Sequence, residues 1–238
     1  MSNIRQLLLI CGGEGTRIKS IYKNTPKSLI KFNNKPFIDY QINWIIKNKI
    51  SNLYICTNKK SQAIIDYINK KKYTKININF SIEREKLGTG GAIYNLLKNK
   101  PTEINNQFYV MYGDSFLIEN IKNQKIKNSI DLMYIYKNNN KYDTSNVEIN
   151  KDIKTIVYDK FNIPMNPTHI DYGISCINKN NFIKYSKNKP KNFDLAQYLN
   201  YLSKKKMLYF IETKKKFYEV GSFQGIKNFK NFINKNDL

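Results

Sequence analysis

Cysteine, histidine, arginine and carboxylates are all scarce in this sequence, and most of these shortages close off a class of explanation. Cys11, Cys56 and Cys176 are an odd number of thiols, widely spaced and without a Cys-x-x-Cys pair. That excludes a disulfide framework and a cysteine-built structural zinc, and points to reduced thiols in a cytoplasmic protein. No apolar run approaches the ~18 residues of a membrane span. The opening MSNIRQLLLICGGEG runs from its apolar stretch into a glycine turn with no small-residue cleavage site, so it does not read as a secretory signal. Only Arg5, Arg17 and Arg84 are arginine, against 38 lysines. Arginine is the residue suited to bidentate contacts with phosphate and guanine. A net charge of +23, with 18 acidic residues, therefore does not by itself indicate a nucleic-acid partner.

What is present is lopsided. Lysine, asparagine, isoleucine and tyrosine make up 126 of the 238 residues. All four have A/T-rich codons, so the basicity reads as genomic bias spread over a solvated surface. The clusters Lys70–Lys72, Lys204–Lys206 and Lys214–Lys216 fall at expected helix ends and turns rather than along one stripe. A hydrophobic content of 41% excludes a disordered chain, and 238 residues can bury a sizeable core.

The first half alternates strand and helix. Ile4–Ile10 is a continuous apolar run ended by Gly12-Gly13, as in a strand buried on both faces. Phe37–Lys47 puts Ile38, Ile42, Ile45 and Ile46 on one helical face behind Pro36. Leu53–Thr57, Ile76–Ile82 and Phe108–Tyr112 read as strands, with helices at Ser61–Asn69 and Gly88–Leu97. This order predicts an α/β fold with a mostly parallel sheet and helices on both faces. The second half reads as strands at Ile130–Tyr136, Val147–Ile149, Thr155–Tyr158, Tyr172–Ile177, Leu208–Glu212 and Tyr218–Val220, with helices at Asn192–Lys204 and Gln224–Ile233. It is expected to form an appended, partly antiparallel region covering one side of the first sheet.

The most informative cluster is Gly12-Gly13-Glu14-Gly15-Thr16-Arg17, directly after the first strand. Glycines there let successive N–H groups turn toward an anion at the carboxyl end of a strand. The cluster is neither a Walker A loop nor GxGxxG. A tight strand-to-helix turn would explain the glycines alone, but Arg17, one of three arginines, extends from the same nest. Thr25-Pro26-Lys27 brings a second cation on a proline-fixed turn. Asp114 ends an apolar strand after a glycine, where a carboxylate can ligate magnesium or cap the turn. Gly88–Gly91 opens a helix after a strand, where glycines admit a flat base or sugar or merely loosen the helix start. Glu83 and Arg84 read as a surface ion pair or as contacts to a base. Cys11 completes a buried strand and reads as an inert thiol.

Here the chain resembles the sugar-1-phosphate nucleotidyltransferases, whose signature is GGxGTR followed by Pro-Lys. Further matching blocks are Leu87–Ala92, Tyr112–Ser115, Ser145–Val147, Tyr158–Lys160, His169–Gly173 and Phe217–Ser222. The match looks closest to compact bacterial members acting on heptose 1-phosphate or related sugars. The resemblance implies a Rossmann-like nucleotide domain with a sugar-binding extension. It implies a single nucleotidyltransferase domain, residues 1–128 holding the nucleotide and 129–238 the sugar phosphate. The reaction it implies makes an NDP-sugar and pyrophosphate from a nucleoside triphosphate and a sugar 1-phosphate, with Mg²⁺, for surface polysaccharide synthesis.

Carried over residue by residue, Arg17, Lys27 and Asp114 are catalytic. Gly12, Gly13, Gly15, Thr16, Gly88, Thr89 and Gly90 hold the nucleotide. Asn146, Asp159, Lys160, Asp171 and Gly173 hold the sugar phosphate, and Asp114 with Glu219 binds metal. Glu219 departs from the pattern, since many members have aspartate there. His169 is expected to shape structure or substrate by hydrogen bonding, because the reaction needs no general base. No specific nucleic acid and no membrane is expected as a partner, and a homodimer stays open. Two other readings remain: a cytidylyltransferase for a non-sugar phosphate such as phosphocholine, and a non-catalytic nucleic-acid-binding or regulatory protein.

Overall fold

The computed structural model describes residues 4–236 apart from 14–15, 19, 23–24, 59–60, 122–125, 127–128 and 151–152. The first half runs β1 (Gln6–Ile10), the two-residue strands β2 (Lys31–Phe32) and β3 (Lys35–Pro36), α1 (Phe37–Lys47), β4 (Asn52–Asn58), α2 (Gln62–Lys71), β5 (Asn77–Glu83), α3 (Gly88–Asn99), β6 (Gln107–Tyr112) and β7 (Ser115–Phe116). The second half adds β8 (Asp131–Lys137), β9 (Val147–Asn150), β10 (Thr155–Tyr158), β11 (His169–Asn178), α4 (Lys179–Ser186), α5 (Leu195–Lys204), β12 (Leu208–Thr213), β13 (Tyr218–Glu219) and α6 (Phe223–Lys235).

Strand sequence explains the layering. Along β1, Leu7 and Leu9 face one core while Leu8 and Ile10 face another, and β6 repeats this with Tyr109 and Met111 against Phe108 and Val110. A strand buried on both faces needs helices on both sides. On one face pack α1, α2 and α6, through residues such as Ile42, Ile68 and Phe229. On the other pack α3, α4 and α5, through Ile93, Phe182 and Leu199.

Among the described residues the main sheet has nine strands in the order β5-β4-β1-β6-β11-β8-β12-β10-β9. The first four are mutually parallel. Strand β11 then joins β6 antiparallel, with Ile174 opposite Met111. The sequence led us to expect the second half to cover one side of the first sheet; its helices α4, α5 and α6 do pack on the sheet's faces, but its strands do not. They continue the sheet edge to edge, because β6 presents an open ladder that β11 satisfies. Among themselves these strands pair antiparallel except β12 with β8, which run parallel.

Chain order and sheet order diverge at one place. The chain steps outward from β1 to β4 and β5, then returns to the other side of β1 at β6. Such a switch point leaves a crevice at the carboxyl ends of the strands. Gly113 makes the close approach there: its N–H donates to Ile10 O at 2.9 Å, and a Cβ would lie 2.5 Å from that same oxygen and 2.8 Å from Cys11 Sγ. Gly113→Ala should therefore destabilise the fold by about 1–3 kcal/mol, read as a lowered denaturation midpoint. A midpoint equal to wild type would show that this approach is slack.

Candidate active site

Three strand ends line up beneath the crevice. Asn58 is the register partner of Glu83 across β4 and β5, and Asn58 Nδ2 donates to Gly12 O at 2.9 Å, just past β1. Of the glycine loop, Gly12 and Gly13 are described, Gly13 is exposed, and Thr16 begins a short 3₁₀ turn, Thr16–Ile18, that carries Arg17. Glu14 and Gly15 lie outside the described residues.

One corner of the crevice is assembled by contacts far apart in sequence. Glu219 pairs with Ser115 in the small β7–β13 ladder, and Val220 N–H donates to Asp114 O at 2.9 Å. These bonds carry Glu219 to Asp114. A Cβ at Gly221 would lie 2.8 Å from Asp114 Oδ2, 2.9 Å from Arg17 Nη2 and 3.0 Å from Glu219 Oε2. A side chain at this position would push the three groups apart. Lys27, on its own 3₁₀ turn, stands against Asp114 with Nζ 3.1 Å from Oδ2.

Glu219 is oriented by its own turn. Its Oε2 accepts Gly221 N–H at 2.5 Å, its Oε1 accepts the Ser222 hydroxyl, and Ser222 Oγ in turn caps α6 by accepting Gly225 N–H. Asp114 and Glu219 thus offer hard oxygen donors around one point, and among the described residues no larger group of His, Cys, Asp or Glu is arranged to hold an ion. Two carboxylates suit an ion that brings waters and phosphate oxygens of its own.

Beside this corner a cleft of about 520 Å³ opens over β1, β4 and β5, lined by Gly12, Asn58, Glu83, Gly88, Thr89 and Asp194 among others. Glu83 is buried at 6% exposure, so it is not half of a surface ion pair with Arg84. Burial, offset in part by the Leu87 N–H, pushes its carboxyl above the usual range.

The α3 glycines serve packing more than ligand access. Phe193 O accepts the N–H groups of both Gly90 and Gly91, at 2.9 and 3.1 Å. A Cβ at Gly88, where φ is +70°, would lie 2.6 Å from that carbonyl. The Thr89 hydroxyl donates to Asp194 Oδ1 and accepts Leu195 N–H, both at 2.7 Å. Gly88 and Thr89 border the cleft, while Gly90 faces the Phe193 ring.

Asp194 also connects to Lys160, and Asp171 lies on β11, the neighbour of β6. Lys160 Nζ is 3.5 Å from Asp194 Oδ2. Asp171 accepts Gly173 N–H at 2.8 Å, and burial raises its carboxyl to about 6. Burial and then Asp171 keep the Tyr112 and Tyr158 hydroxyls protonated.

Three expected sugar-phosphate residues also make contacts within the fold. Despite partial burial, N–H donation from Asn162 and Phe161 holds the Asp159 carboxyl below its usual range, so it closes its own turn. Asn146 Oδ1 accepts Asp171 N–H at 3.2 Å and braces β11. Gly173 has φ +89° where β11 shifts register, and a Cβ there would lie 2.7 Å from Ser115 Oγ. His169 Nδ1 bonds Thr168 Oγ1 at 2.8 Å, and Nε2 lies 3.4 Å from Glu212. Burial raises the Cys11 thiol to about 12, so it is protonated and inert at neutral pH.

Asp194, which joins the cleft to Lys160, escaped the sequence reading. Its only local mark is its place before the apolar run of α5, where it accepts Ala196 N–H at 3.0 Å, and that signals a helix cap rather than a site.

The parallel part of the sheet has a switch point that gathers an arginine, a lysine and two carboxylates beside a cleft, the geometry of nucleotide-handling α/β proteins. Residues 6–141 match the nucleotidyl transferase family, and the chain belongs to it. It is 35% identical over 145 residues to D-glycero-alpha-D-manno-heptose 1-phosphate guanylyltransferase of Campylobacter jejuni, covering 60% of this chain and 63% of that protein. It is 30% identical over 156 residues to the protein of that name from Aneurinibacillus thermoaerophilus, covering 64% and 66%. The chain thus spans just under two thirds of each relative. Its fold is that of HddC from Yersinia pseudotuberculosis, also solved in complex with GMP-PN, with TM-score 0.76, 22% identity and coverage of 97% and 100%. Enzymes of this family generally use a divalent metal ion. Among the described residues no helix is long and apolar enough to cross a membrane.

Proposed function

We propose that this protein is a cytoplasmic enzyme that transfers a nucleoside monophosphate from a nucleoside triphosphate to a sugar 1-phosphate. An oxygen of the sugar phosphate forms a bond to the α-phosphorus, the bond from that phosphorus to the β-phosphate oxygen breaks, and pyrophosphate leaves with the electron pair. The relatives' names favour a guanylyl donor and a heptose-type acceptor, serving surface polysaccharide synthesis. The observation that carries the reading is the convergence of Arg17, Asp114 and Glu219 around Gly221 at the switch point.

A phosphate monoester with a second pKa of ~6 is already a nucleophile at neutral pH, so no side chain need remove a proton. The task is to position two polyanions and offset charge growing on the leaving group. Arg17 and the Gly12–Gly13 backbone bind the β- and γ-phosphates. Lys27 moves from Asp114 to the α-phosphate. Asp114 and Glu219 hold Mg²⁺, which when bound supplies positive charge to the phosphate oxygens. Residues 1–128 supply the nucleotide side, and 129–238 supply Lys160 and Asp171 to the acceptor within one domain.

Pyrophosphate release measured over a panel of triphosphates and sugar 1-phosphates tests the activity, and absence of release with every pair would overturn it. Lys160→Ala separates the two substrates. Losing one charge-assisted contact should raise KM for the sugar phosphate by ~10–100-fold and leave triphosphate affinity within about twofold. Equal loss of both affinities would make Lys160 a structural residue.

A further inference from the structure

Of the twelve large hydrophobic side chains exposed among the described residues, eight fall in two short stretches, 153–165 and 201–209. The fold joins these stretches. Tyr209 on β12 is the register partner of Thr155 on β10, and Val157, Asn162, Pro164, Lys204 and Lys206 line one cavity of about 280 Å³. The segment after β10 alternates over that cavity. Asn162 and Pro164 line it, while Phe161, Ile163 and Met165 are left exposed, Met165 at 92%. Val157, Met207 and Tyr209 extend the apolar surface beside them. Single exposed apolar residues are ordinary, whereas a concentration of them marks a contact surface.

The same surface is basic. Residues 153–168 and 200–209 hold Lys154, Lys160, Lys204, Lys205 and Lys206 against one carboxylate, Asp159, and Asp159 is turned onto the N–H groups of Phe161 and Asn162. All five lysines are exposed. We propose that this face is a peripheral docking surface for an anionic membrane, with Phe161, Ile163 and Met165 entering the headgroup region and the lysines meeting lipid phosphates. The bilayer interface takes apolar side chains, and its negative surface potential attracts lysine as a point charge, with no need of arginine's planar fork. A second copy of this chain would instead set these lysines against one another. The lysine excess alone does not single out a membrane; the apolar cluster beside Lys204–Lys206 does, and only the fold assembles it.

Cosedimentation of the full chain with lipid vesicles tests this. The protein should bind vesicles of phosphatidylcholine and phosphatidylglycerol in equal parts at physiological salt, release them as salt rises, and ignore phosphatidylcholine alone. Phe161→Ser, Ile163→Ser and Met165→Ser combined should weaken binding by ~10-fold or more. Lys204→Gln, Lys205→Gln and Lys206→Gln combined should weaken it by ~10²-fold, since each lysine near such a surface contributes roughly fivefold. The same change at three exposed lysines of α6, Lys227, Lys230 and Lys235, should alter binding by less than about threefold, because charges beyond a Debye length are screened. Both variants of the proposed face should keep the wild-type melting midpoint, because the replaced side chains are exposed. Equal loss in the α6 variant would show that net charge alone binds, and would overturn the assignment of this face. Wild-type binding in both variants of the face, or equal binding to neutral vesicles, would overturn it too. Absence of vesicle binding, with self-association that the serine variant abolishes, would overturn it by giving the face to a second copy.

Discussion

Asp114→Asn should lower turnover by about 10³-fold while the protein stays folded. Asp114 Oδ2 lies beside the point where Arg17 and Glu219 converge, and it pairs with Lys27. Asparagine keeps the shape of the side chain and one acceptor oxygen. It loses the charge that makes the pair of carboxylates attractive to a divalent ion and repulsive without one. The Lys27–Asp114 pair is partly solvated, with side-chain exposures of 16% and 30%, so releasing Lys27 should change stability little. Circular dichroism and the melting midpoint provide that control.

Excess chelator should silence wild type, and Mn²⁺ should restore it as Mg²⁺ does. Full activity in chelator would show that the pair holds no metal. Glu219→Gln should be nearly as damaging, and for an additional reason. Each Glu219 oxygen accepts one bond in its own turn, from Gly221 N–H and from the Ser222 hydroxyl, and keeps a second lone pair for an ion. A glutamine can accept through only one oxygen, so the start of α6 should loosen and the melting midpoint should fall along with activity.

Arg17→Ala should lower kcat by ~10²-fold or more, with the fold intact because Arg17 is exposed on a short turn. Charge on the leaving pyrophosphate grows as the bond to the α-phosphorus breaks, so an interaction with it is worth most in the transition state. Arg17→Lys should recover little, since a point charge cannot replace the planar two-pronged guanidinium. Wild-type turnover in a folded Arg17→Ala protein would remove Arg17 from the reaction.

Much of the fold could be read from local pattern. The apolar run ending at Ile10 and the helical spacing of Ile38, Ile42, Ile45 and Ile46 depend only on near neighbours; the helix stands at Phe37–Lys47 as expected, and the strand spans Gln6–Ile10, starting two residues after Ile4. The edge-to-edge joining of β11 to β6 could not be read so. The two strands lie some 60 residues apart and either strand could have paired elsewhere. The same limit applies to Glu83, whose sequence neighbour Arg84 pointed to a surface pair while the β4–β5 ladder and the Gly12 loop bury it.

The sequence by itself determined the α/β class, the glycine turn after β1 and the scarce arginine beside it. Such features are set by side-chain chemistry over a few residues, and backbone geometry turns them directly into structure. Only the tertiary structure decided that Glu219 reaches Asp114, that Asp159 folds into its own turn, and that Asp194 spans α3, α5 and Lys160. Those outcomes rest on long-range backbone ladders and on competition among hydrogen-bond partners. A carboxylate's partner is whichever donor the completed fold brings within about 3 Å, and no local pattern carries that distance.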